Sequence, residues 1–340
     1  MSHSGDVFDP ILTVLAANKS GDFGASGARV ERLRRIDGPY SSVQHVRIRT
    51  PTRTTFAYIK VLMPRRPGQE GLAQVDRMLK REYLATQALH EALQQDRNTG
   101  AVRPLAWLPE HRALVTEEVS GRPLAELLDD SHHSADELAA ILARVGGWIR
   151  MYQKVVDATG VIDLAERRVY VDDRLALLEG RVLSAADRQA TLDRFDALVA
   201  EIGTPAVPAV AIHADLNPLN VIVDERGRTT VLDFTMAKTG TVYNDLTHLY
   251  FHLGLKAARY PARRPEIHAL QQALMAGYAP TVSVEEPLFR LMLLQHGVCH
   301  VTYLAERHLP VVDAAYRWFM RRRWRACERM PVRAGGPQVA

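Results

Sequence analysis

His213-Ala214-Asp215-Leu216-Asn217-Pro218-Leu219-Asn220, then Val221-Ile222-Val223, a turn at Gly227, and Thr230-Val231-Leu232-Asp233-Phe234 form the stretch on which the reading of this chain turns. The valines and isoleucine favour a strand, and Gly227 supplies the turn that folds the next short apolar run back beside it. Asp215 and Asn220 then share one tight loop, restricted at Pro218, while Asp233 arrives at the end of the returning strand. Three oxygen-bearing side chains are expected to converge. Oxygen ligands suit Mg²⁺, and a loop carboxylate suits the orienting of an acceptor hydroxyl; phosphoryl transfer needs both. His213 reads as a loop-bracing histidine, hydrogen-bonded to backbone near Asp233, rather than as an acid or base.

The N-terminal part carries a second pattern. Gln44 to Met63 reads as two strands around Thr50-Pro51-Thr52, and the second, Phe56 to Leu62, places Lys60 inside an apolar run. A buried ammonium needs a partner. Gln74 to Gln94 has helical periodicity, with Val75, Met78, Leu79, Leu89 and Leu93 on one stripe and Glu82 on that same stripe. A carboxylate on an apolar face needs a cation, so Lys60 and Glu82 are expected to pair, as a strand lysine and helix glutamate do in kinases. Val102 to Leu108, a turn at Pro109 to Arg112, and Ala113 to Val119 follow, and Gly121 and Pro123 then punctuate a hinge-like link.

These residues resemble the Brenner motif and metal-binding aspartate of the aminoglycoside phosphotransferase and choline kinase group, the small-molecule branch of the protein-kinase-like fold. The resemblance runs from about residue 28 to 310, with motif-grade matches only in the middle. It implies a bilobal α+β fold: an N-lobe on a five-stranded antiparallel sheet (28–119), a mainly helical C-lobe (120–330), and ATP between them. It also implies roles. Asp215 would orient the acceptor hydroxyl and take its proton; Asn220 and Asp233 would ligate Mg²⁺; Lys60, held by Glu82, would grip the α and β phosphates. The carbonyl of Glu117 and amide of Val119 would bind adenine, and Asp245, a helix-start carboxylate, would brace the catalytic loop. Ile36 to Val43 lacks the Gly-x-Gly-x-x-Gly of protein kinases, so Ser41 and Ser42 are the residues expected over the phosphates.

The segment after Asp233 narrows the class. Only Thr235 to Asn244 separates Phe234 from Asp245, too little for an activation segment, and no Ala-Pro-Glu anchor is present. A small-molecule or glycan hydroxyl is therefore the expected acceptor. Residues 251–340 hold 13 Lys plus Arg against 6 Asp plus Glu. This favours a neutral or anionic, sugar-like acceptor over a polycationic aminoglycoside, with a resistance kinase and a catalytically silent nucleotide-binding protein as alternatives. Arg317 to Arg325 mixes cations with Trp and Phe, as an association with anionic membrane surfaces would use, although arginines snorkelling on a packed helix give the same letters. No nucleic-acid motif accompanies the charge, so no nucleic acid is expected.

At 340 residues, 47% hydrophobic and 24% charged, the chain can build two real cores. Residues 1 to 27 and 331 to 340 are expected to be loose. There is no leader pattern and no apolar run of eighteen, which makes the cytoplasm the default location. Cys299 and Cys327 read as reduced thiols. Helices are expected at 134–156 (opened by a Ser134 to Glu137 capping box), 171–201, 245–258, 264–278, 285–307 and 311–330, with Gly146 and Gly147 allowing close packing. His248 with His252, and His296 with Cys299 and His300, stand at one-turn spacing and read as helix packing or cleft lining rather than a zinc site.

Overall fold

The computed structural model describes residues 6–17, 28–64, 68–130 and 132–307. The chain forms two compact units, the first comprising residues up to Glu126 together with Leu219–Ala237, the second Leu127–Pro218 and the residues from Lys238 on. The hairpin carrying Asn220 and Asp233 folds with the first unit.

The first unit begins with α1 (Asp9–Ala17) and then β1 (Arg29–Asp37), β2 (Ser41–Arg49) and β3 (Thr54–Leu62). α2 (Gln69–Ala92), β4 (Thr99–Ala101), β5 (Pro104–Leu108), β6 (Ala113–Glu117), β7 (Arg122–Pro123) and the short α3 (Leu124–Leu127) follow. Five strands pair antiparallel in the order β1-β2-β3-β6-β5. Alternation along β3 divides the sheet into two faces. Ala57, Ile59 and Val61 point to one, where Phe8, Ile11 and Leu15 of the N-terminal segment pack on them with no exposure. Each such side chain contributes about 2 kcal/mol of burial. Residues 9–17 are therefore a core helix, contrary to the expectation of a loose extension. The polar residues around them dilute three well-spaced apolar anchors. Lys60 and Leu62 point to the other face, where Leu62 and Leu114 pack against Val75 and Leu79 of α2.

The second unit opens with α4 (Ala135–Val155), whose N-terminus carries the expected capping box between Ser134 and Glu137. β8 (Val161–Asp163), α5 (Leu164–Ala176), α6 (Ala185–Ile202), β9 (Ala206–Pro208) and β10 (Val210–Ile212) come next. The helix expected over 171–201 is thus two. Gly180 in the left-handed region (φ 73°) makes the break, and a second capping box, Ser184 with Asp187, restarts the chain. The chain then supplies β11 (Val221–Val223) and β12 (Thr229–Val231) to the first unit, in a small sheet ordered β4-β12-β11-β7. It returns as β13 (Lys238–Gly240), α7 (Asn244–Arg259), α8 (Arg264–Tyr278) and α9 (Pro287–Arg307), close to the expected spans. Helix 311–330, the basic cluster within it and Cys327 lie outside the described residues; Cys299 is a free thiol.

α4 and α8 meet almost backbone to backbone. A Cβ on Gly146 would fall 2.2 Å from the Leu274 carbonyl, and one on Gly277 would fall 2.0 Å from the Ala143 carbonyl. Gly147 has ordinary room, its nearest neighbour being 3.6 Å away, so only Gly146 of the expected pair is there for the approach. Among the described residues no helix is long and apolar enough to cross a membrane.

Candidate active site

In the first unit, Lys60 and Glu82 meet as expected. The Lys60 ammonium lies 3.0 Å from Glu82 Oε1 and 2.6 Å from Asp233 Oδ1, and it also donates to Thr235 Oγ1. Burial alone would push this amine down, but the two carboxylates outweigh it and hold it above the ordinary lysine range. It stays charged at any physiological pH. Glu82 is committed to the pair, with a side chain only 4% exposed, whereas that of Asp233 is 44% exposed. One carboxylate fixes the cation and the other keeps an open side.

Asp233 owes its position to the β11–β12 hairpin. Val221 pairs with Val231, and the Leu232 amide donates to the Asn220 carbonyl at 2.9 Å, so Asn220 stands beside the start of the Asp233 turn. Asp233 itself is left-handed (φ 62°), a conformation aspartate tolerates better than most residues, and its carboxylate caps the following 3₁₀ turn through the Thr235 amide. Asn220 and Asp233 together offer a carboxamide and a carboxylate. With Lys60 and Glu82 the constellation carries a net charge of about −1. That donor set fits Mg²⁺, which takes one or two protein oxygens and completes its shell with phosphate oxygens and water. No larger set competes, since among the described residues no group of three or more His, Cys, Asp or Glu could hold a metal.

The two serines are split. Ser41 pairs across from Leu62 and Val43 from Lys60, so Ser41 lies on the Lys60 face. Ser42 pairs with Val61, lies on the α1 face, is buried, and donates to Asp37 at 2.7 Å. Its hydroxyl braces the β1–β2 turn instead of reaching the face that carries the lysine. At the end of β6, the Glu117 side chain binds Arg53 and Arg103. The Glu118 amide donates to the Phe56 carbonyl, and Val119 follows just after the strand. A Cβ on Gly121 would fall 2.4 Å from the Val223 carbonyl at φ 135°, so the link needs glycine there.

Asp215 belongs to the second unit. Asp245, fully buried at the start of α7, accepts the amides of His213 (2.7 Å) and Ala214 (2.9 Å). Burial pushes the Asp245 carboxyl upward, opposed by neighbouring His213 and these two amides. The bonds hold Ala214 left-handed (φ 63°), a conformation costing an alanine about 1–2 kcal/mol. His213 braces the loop, but by accepting the Asp215 amide on Nδ1 (3.3 Å). Asn217, which sequence reasoning passed over, donates to Asp215 Oδ1 at 3.2 Å and orients the carboxylate. Its signal was present in the Asp-x-Asn spacing of a turn. Thr235 was also missed, because its partners lie on β3 and α2.

His248, His252, His296 and His300 gather between α7 and α9, with His248 stacked on His296 at 4.8 Å and His248 Nε2 3.3 Å from His252 Nε2. Burial pushes His252 down to about 3 and His296 to about 4, and holds His248 well below the ordinary histidine range. His248, His252 and His296 are neutral packing groups.

Comparisons place this geometry among known proteins. A choline/ethanolamine kinase family protein from Mesorhizobium loti aligns at 17% identity over 97% of this chain and 96% of its own, with a TM-score of 0.53. The macrolide 2'-phosphotransferase MphH from Brachybacterium faecium aligns at 18% over 93% and 98%, TM-score 0.53. The ADP-bound aminoglycoside phosphotransferase APH(2'')-Ib aligns at 11% over 97% and 100%, TM-score 0.56. At these identities the likeness is one of fold. No curated protein sequence matches. The model of the APH phosphotransferase enzyme family matches residues 61–281, more than half of the chain and the whole run from the end of β3 through Asp215, Asp233 and Asp245. With the kinase-like fold and this match, the chain belongs to the APH phosphotransferase enzyme family.

Proposed function

We propose that this protein transfers the γ-phosphoryl group of ATP, with Mg²⁺, to a hydroxyl of a small molecule or glycan. The observation that carries the reading is the buried Lys60 ammonium, shared between a committed Glu82 and an open Asp233. A merely structural ion pair has no use for the second, solvent-facing carboxylate. In this reading Glu82 fixes the direction of Lys60, which grips the α and β phosphates. Asp233 and Asn220 hold the metal, which would neutralise charge gathering on the phosphoryl oxygens. Asp215, braced through Asp245 and Asn217, orients the acceptor hydroxyl and takes its proton. A loose transition state makes that positioning matter more than base strength. Ser41, the Glu117 carbonyl and the Val119 amide complete the nucleotide contacts.

For the acceptor we propose a neutral or anionic, sugar-like compound. The support is the net positive charge of residues 251–340. Within the described part, Lys256, Arg263 and Arg290 are engaged with Asp129, Glu266 and Glu201, so the excess charge resides mainly beyond Arg307. The test is an ATP-consumption screen of the purified protein against aminoglycosides, neutral sugars and uronic or phosphorylated sugars, beside Asp215→Asn. Turnover should fall by roughly a hundredfold in the variant while nucleotide affinity holds within about threefold. Highest kcat/KM on an aminoglycoside would overturn the acceptor assignment. Mg²⁺-dependent binding without turnover on any acceptor, water included, would leave a silent nucleotide-binding protein.

A further inference from the structure

Thr235 sits at the centre of the charged constellation. Its Oγ1 lies 2.8 Å from Glu82 Oε2 and 2.6 Å from Asp233 Oδ1, and it accepts from the Lys60 ammonium. Its amide is 3.3 Å from Asp233 Oδ1. A hydroxyl has one proton and two lone pairs. With one lone pair taken by Lys60, a single proton faces two carboxylates and can serve only one at a time. The choice matters because the two carboxylates differ: Glu82 is enclosed, and Asp233 has an open side. If Asp233 turns its oxygens toward a divalent cation, the Thr235 hydroxyl, its proton still bound, directs its one hydrogen bond to Glu82, and the carboxylate that fixes Lys60 keeps that donor.

We propose that Thr235 is a positioning residue whose hydroxyl couples the metal-facing carboxylate of Asp233 to the orientation of Lys60. Substitution by a residue of the same shape without the hydroxyl leaves the ammonium short of an acceptor and the carboxylate that held the proton short of a donor. The inference rests on the metal and phosphate roles given above for Asp233 and Lys60.

The test compares Thr235→Val and Thr235→Ser with the unaltered protein, and Asp233→Ala serves as the metal control. One readout needs no nucleotide: the rate at which an amine-reactive ester acylates Lys60, followed by peptide mass spectrometry. The other is the calorimetric affinity for a non-hydrolysable ATP analogue with and without Mg²⁺. Thr235→Val should label Lys60 about tenfold faster and lose about tenfold of the Mg²⁺-dependent gain in affinity, the size of one net hydrogen bond. Thr235→Ser should stay within about twofold on both counts. Melting curves confirm that the variants fold, and Thr235→Ala replaces the valine variant if it does not. Valine indistinguishable from threonine, or serine as impaired as valine, overturns the role of the hydroxyl, while Asp233→Ala losing the Mg²⁺ gain leaves the metal assignment standing. An unaltered protein without any Mg²⁺-dependent affinity overturns both.

Discussion

Asp245→Asn separates loop geometry from global stability. The carboxylate accepts two amides, at 2.7 and 2.9 Å, from consecutive residues, and the second of these is the left-handed Ala214. Asparagine keeps one acceptor oxygen and turns an NH₂ toward the other amide. One charge-assisted bond is lost, worth about 2 kcal/mol. Against this, the variant no longer buries a carboxylate whose desolvation already pushes its pKa up. The two effects oppose each other in global stability, so the melting temperature should move by only a few degrees. The loop has no such compensation, and 2 kcal/mol corresponds to roughly a 30-fold larger open population. Hydrogen exchange at the His213 and Ala214 amides should therefore quicken by roughly 30-fold. Turnover should fall by a similar factor with nucleotide affinity nearly unchanged, since Asp215 is what the loop positions. Exchange within threefold of the unaltered protein would refute the argument that Asp245 holds Ala214 in its strained conformation.

Two further outcomes follow from packing and charge. His252 and His296, at about 3 and 4 in the folded protein, rise to about 6.5 on unfolding. Their stabilisation is complete above pH 6.5 and is lost as pH falls toward 4, by about 2 kcal/mol per histidine at pH 5. Denaturant midpoints at pH 8 and pH 5 measure this, and equal midpoints for the parent and His296→Gln in acid would contradict it. Gly277→Ala should cost about 3 kcal/mol because α4 and α8 must part. Gly147→Ala, with ordinary room, should be neutral or mildly stabilising; comparable melting losses in both would show that the close approach is not what limits this interface.

The site was legible where chemistry leaves few options. Lys60 and Glu82 could be paired from sequence because each was a charge inside an apolar pattern, and Asp215, Asn220 and Asp233 stood in a spacing with a mechanical purpose. Asp245 read from its pattern only as a carboxylate opening a helix, and its bracing role came from the family resemblance alone. Other features depended on what a residue faces. Ser41 and Ser42 look alike in sequence, yet strand alternation sends one to the Lys60 face and the other to Asp37. Thr235 acquires its partners from β3 and α2, 175 and 153 positions away in sequence, beyond any local pattern. The α1 helix was hidden by averaging composition over residues 1–27, although Phe8, Ile11 and Leu15 follow helical spacing. The break between α5 and α6 was written in Gly180 and in the Ser184-x-x-Asp187 box, signals a continuous apolar stripe overrode.

The hairpin carrying Asn220 and Asp233 acts as a caliper. Its two strands hold three residue pairs, with both oxygen donors at the open end and the Asp224–Arg228 turn at the other, about 10 Å away. The gap between the jaws is set by the register of Val221 with Val231 and not by the length of the handle. Residues can be added at the turn, where Asp224 ties the Arg226 and Arg228 amides, without altering that gap. A slip of one residue within the ladder would instead rotate Asp233 to the opposite side of the strand and separate it from Lys60. Variation in chain length is thus cheap at one end of this element and prohibitive at the other, and an epitope or reporter peptide grafted between Glu225 and Arg226 would leave the spacing of the two donors untouched.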